Sequence, residues 1–64
     1  MNEKRQLQQL QNEFIDILVN RGIGPLQAFG RVKHWTNKAR MKYQSDIPFI
    51  QFTRAYFQNR LSNV

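Results

Sequence analysis

An all-α fold, a small three-helix domain completed by homodimerisation, is what this sequence predicts. Three observations carry that prediction. Apolar residues recur at helical spacing in three segments, glycine and proline break the chain between those segments, and the last segment has more apolar surface than one neighbouring helix can cover. Residues 1–64 are read as a single helical domain.

The first helix is expected over 3–21. Leu7, Leu10, Phe14, Ile17 and Leu18 fall within an arc of roughly 100° when each residue turns the helix by about 100°. Asn2 is placed to cap its start, Glu3 suits the positive N-terminal end, and Arg21 followed by Gly22 suits the C-terminal end. Gln6, Gln8, Gln9 and Gln11 are assigned to the solvated outer face.

Gly22-Ile23-Gly24-Pro25 separates this helix from a second, expected over 25–43, because proline fits a first helical turn where no N–H is needed. Its apolar arc of roughly 120° collects Ala28, Phe29, Val32, Trp35, Thr36, Ala39 and Tyr43. A second break, Ser45-Asp46-Ile47-Pro48, offers Ser45 or Asp46 as a cap for a third helix over 48–61. There the apolar residues form two arcs, Ile50, Phe57 and Leu61 on one and Phe49, Phe52 and Tyr56 on the other. Ile15, Val19, Leu26 and Met41 also stand off the main stripes. A domain of this size buries only about 60% of its unfolded surface, so these residues point to a homodimer with Phe49, Phe52, Tyr56 and Phe57 in its interface.

The charge pattern speaks to function. Net charge is +6, and all of it resides between Asp16 and Asp46, where Arg21, Arg31, Lys33, Lys38, Arg40 and Lys42 occur without a single carboxylate. An ordinary solvated helix intersperses both signs and gains i,i+4 pairs, whereas this segment accepts self-repulsion and creates a positive potential that draws in polyanions. Along the second helix Gln27, Arg31, His34, Lys38 and Lys42 make one ridge, and Lys33, Asn37 and Arg40 a second. Gly30 lies between them, where a partner can approach the backbone. Cations grip phosphates while amides and imidazole read base edges, so these eight residues form the expected nucleic-acid surface. DNA ranks ahead of RNA as the partner. Trp35 can serve as a stacking platform for an unpaired base, but its place within the apolar arc favours packing.

The alternative is a small regulatory or inhibitory protein, of the kind phages and plasmids encode, whose basic face docks on an acidic protein surface. Known nucleic-acid modules are not evident: the tight bihelical glycine pattern of a helix-turn-helix, a Cys/His zinc set, an RNP-like aromatic strand and a KH-type Gly-x-x-Gly loop are all missing.

Other classes are disfavoured. His34, the single histidine, has Lys33 and Trp35 as neighbours and no nearby carboxylate to orient it, so an enzyme is not expected. With no cysteine, one histidine and four carboxylates, neither a metal nor another cofactor is expected. No apolar run approaches the roughly 18 residues of a membrane span, and the opening Met-Asn-Glu-Lys-Arg-Gln has no apolar stretch. The expected location is the cytoplasm, with no membrane partner.

Overall fold

Asn2 starts the first helix as its side chain suggests. Its Oδ1 accepts from the backbone N–H groups of Lys4 at 3.0 Å and Arg5 at 3.4 Å, satisfying donors that a helix start otherwise leaves unpaired. In the computed structural model, which describes residues 2–44 and 46–63, this helix is α1 (Glu3–Asn20), followed by α2 (Pro25–Lys42) and α3 (Phe49–Ser62). No strand occurs among the described residues, and no helix there is long and apolar enough to cross a membrane.

The break between α1 and α2 is a glycine cap. Gly22 adopts a φ of +97°, where a side chain would be strained. That turn lets the Gly22 N–H donate to the Val19 carbonyl at 3.0 Å and the Ile23 N–H donate to the Leu18 carbonyl at 3.1 Å. It also folds Ile23 back onto the core cluster that contains Leu18. Pro25 then opens α2 at its first turn, with the Gly24 carbonyl accepting from the Ala28 N–H at 2.8 Å.

The start of α3 differs from expectation. Pro48 is the N-cap and supplies no side-chain bond; Asp46, two residues upstream, does not cap the helix, and Ser45 lies outside the described residues. Tyr43 closes this turn instead. Its hydroxyl donates to the Ile47 carbonyl at 2.6 Å, and its ring meets Phe49 and Phe52 edge-on at 5.1 and 5.5 Å between centroids.

Phe57 is the centre of the core. It inserts between Phe14 of α1, at 5.2 Å and 74°, and Trp35 of α2, at 5.9 Å and 54°, so one ring joins all three helices. Leu7, Leu10 and Leu18 complete the α1 contribution, and Ala28, Val32, Thr36 and Ala39 that of α2. Phe57, expected in a dimer interface, is fully buried within the single chain.

The two apolar arcs of α3 have an explanation within the single chain. They flank Thr53, which is fully buried beside the equally buried Phe57 of the first arc, because α3 seats against α1 and α2 together. Ile50, Tyr56 and Leu61 pack against the core cluster, and Phe49 and Phe52 against Tyr43. Ile15 and Val19, expected to be exposed, are half-buried against the same cluster.

Three further positions depart from the sequence reading. Phe29 is 53% exposed, since Ala28 and Val32 take the inward direction and Phe29 falls at the rim of the arc, with the Lys33 ammonium 5.8 Å above its ring. Tyr43 lies one residue beyond α2 and is half-buried. Gln11 does not stay on the outer face: its Nε2 donates to Thr36 Oγ1 at 3.0 Å, and Thr36 in turn donates to the Val32 carbonyl at 2.9 Å, forming a polar link between α1 and α2.

Candidate nucleic-acid interface

The proline-started α2 carries its apolar residues inward, so its basic residues have only the outer surface left. Gln27, Arg31, Lys33, His34, Asn37, Arg40 and Lys42 are exposed, and Lys38 is half-buried. The one ion pair among the described residues lies elsewhere. Arg54 of α3 donates through both guanidinium nitrogens to the Glu13 carboxylate of α1, at 2.9 and 3.2 Å. No cation of the acid-free block forms an ion pair with a carboxylate among the described residues, although Glu3 shares a hollow with Arg40 and Asp46 one with Lys42. Arg40 and Lys42, in the last turn of α2, are also stabilised by the negative end of that helix.

The two basic ridges do not merge. At about 100° per residue they stand roughly 150° apart around α2. Arg31 and His34 face the C-terminal part of α3, where Arg60 and Asn63 complete a depression, and Lys42 lies near Phe52 at the other end of the same seam. Lys33 and Arg40 face α1: Lys33 lines a hollow with Gln8, Gln11 and Ile15, and Arg40 lies near Glu3, Lys4 and Leu7. The Arg40 guanidinium also stacks 5.4 Å from the Phe49 ring centre, which holds it in place.

Between the ridges runs the most outward line of α2, with Leu26, Gly30, Asn37 and Met41. Leu26 is 88% exposed and Met41 78%. Of the three expected base readers, Asn37 sits on this line, while Gln27 and His34 lean toward the ridge that faces α3. The helix thus carries cations on both shoulders and an amide at its crest, between the exposed Leu26 and Met41. Trp35 does not join this surface as a platform, being only 5% exposed and packed against Phe57.

Arg60 and Asn63 were not singled out by the sequence. The signal lay in the antiparallel pairing of α2 and α3: with α2 ending at Lys42 and α3 starting at Phe49, position 60 comes level with position 31. No protein family, curated protein or solved structure matches this chain.

Proposed function

We propose that the protein is a small regulatory nucleic-acid-binding protein, with DNA preferred to RNA, that grips phosphates through the shoulders of α2. The observation that carries this reading is the acid-free block. Five of its six cations lie on one helix, and none forms an ion pair with a carboxylate among the described residues. Arg31, Lys38 and Lys42 on one shoulder and Lys33 and Arg40 on the other contact phosphates; Asn37, His34 and Gln27 face the bases. Titration of a labelled DNA duplex, a single strand and a structured RNA at low salt tests it. Binding with Lys38→Ala weakened alike on all sequences supports the reading, and absence of binding to all three overturns it.

A second reading has its own support. Leu26 and Met41, the most exposed large apolar side chains described, lie on the outward line of the same helix. An acidic protein surface with apolar recesses suits both them and the cations. Leu26→Ser separates the readings, because it weakens a protein complex and leaves phosphate contacts intact.

Homodimerisation is part of the proposal in a reduced form. The half-buried Phe49, Phe52 and Tyr56 support it. Sedimentation across micromolar concentrations tests it, and a well-folded monomer throughout overturns it.

A further inference from the structure

The open end of the α2–α3 seam is a depression of about 420 Å³ lined by Gly30, Arg31, His34, Trp35, Arg60 and Asn63. From its lining we infer that it is a binding pocket for one nucleotide unit, a phosphate together with its base. This inference rests on the nucleic-acid reading of α2 and extends it to α3.

Arg31 from α2 and Arg60 from α3 both line this depression, and no carboxylate side chain is among its described lining residues. Cations brought together without a counter-charge repel one another, and an anion placed between them removes that repulsion. Guanidinium groups present paired N–H donors in the geometry that phosphate oxygens accept. His34 adds an imidazole on the same side.

The remaining lining residues favour a nucleotide over a bare anion. Asn63 donates its Nδ2 to the Asn59 carbonyl at 3.1 Å, which leaves its Oδ1 as an acceptor. A carbonyl oxygen repels phosphate but accepts from the exocyclic amine of a base. Gly30 supplies room: a Cβ built there meets nothing within 4 Å, so the protein itself does not require glycine at this position. The depression, at about 420 Å³, is larger than a single ion needs.

Trp35 is the chain's one tryptophan and lines the depression, so its fluorescence reports occupancy. The test titrates the full chain with adenosine 5′-monophosphate, inorganic phosphate at matched ionic strength, and a short DNA duplex. Adenosine 5′-monophosphate changes Trp35 emission and inorganic phosphate does not. Arg60→Gln weakens the mononucleotide by about tenfold or more, as loss of a charge-assisted hydrogen bond implies. Gly30→Ala, which has space to fold normally, weakens it too, with circular dichroism confirming that both variants remain helical. Silent Trp35 emission with the mononucleotide, or Arg60→Gln binding like the unmodified protein, overturns the pocket. Duplex binding by a chain whose Trp35 emission stays silent toward the mononucleotide overturns the pocket but leaves the basic-helix reading standing, since a duplex keeps its bases stacked and out of the depression. A mononucleotide response without any polynucleotide binding supports the pocket and overturns that reading.

Discussion

Thr53 is the residue at which the core departs furthest from an apolar ideal. It is fully buried, and its hydroxyl has no hydrogen-bond partner among the described residues. A buried hydroxyl left unpaired costs stability, whereas a methyl of similar shape does not. Thr53→Val is therefore expected to stabilise the protein by about 1 kcal/mol, seen as a rise of about 4–8 °C in the thermal midpoint. Phe57 has the opposite sensitivity. Its ring touches both Phe14 and Trp35, and removing it in Phe57→Ala is expected to cost about 3–5 kcal/mol. Since a chain of this length holds only about 3–10 kcal/mol in all, urea melts of this variant should show a largely lost transition. Gly30 combines stability with function at one position. Replacing a helix-interior glycine by alanine adds about 1 kcal/mol of helix stability, so Gly30→Ala should melt higher and yet bind nucleotide more weakly.

Among the elements, α1 and α2 were readable because each has one apolar stripe and clear punctuation. Leu7, Leu10, Phe14 and Leu18 are all buried, the Asn2 cap forms, and the Gly22 turn and Pro25 start fall where the residues require them. Phe29 was misplaced because a helical wheel gives direction but not how far the neighbouring helix extends. The role of α3 was obscured for a related reason. Two apolar arcs can mean a second chain or a helix lodged between two others, and only the burial of Thr53 between the arcs, beside Phe57, favours the latter. The basic surface was legible from charge alone, but its division into two shoulders, and the arrival of Arg60, depend on packing. The Glu13–Arg54 pair also escaped the sequence, being 41 residues apart. Because both partners are half exposed, Glu13→Gln should shift stability by no more than about 1 kcal/mol, measured by urea melts, and high salt should shrink the difference.

At the scale of the whole molecule, the helices divide their tasks. Phe57 in α3 fastens the core, α1 carries the Glu13 carboxylate that pairs with Arg54, and α2 is left free to present cations. The most direct measurement of this account is the dependence of duplex-DNA affinity on salt. If about four to five phosphates are neutralised per chain, counterion release sets a slope of log affinity against log salt near −4, and Lys38→Ala should flatten it by about one unit. A slope near zero, or no detectable binding at low salt, would contradict the assignment of α2 to nucleic acid.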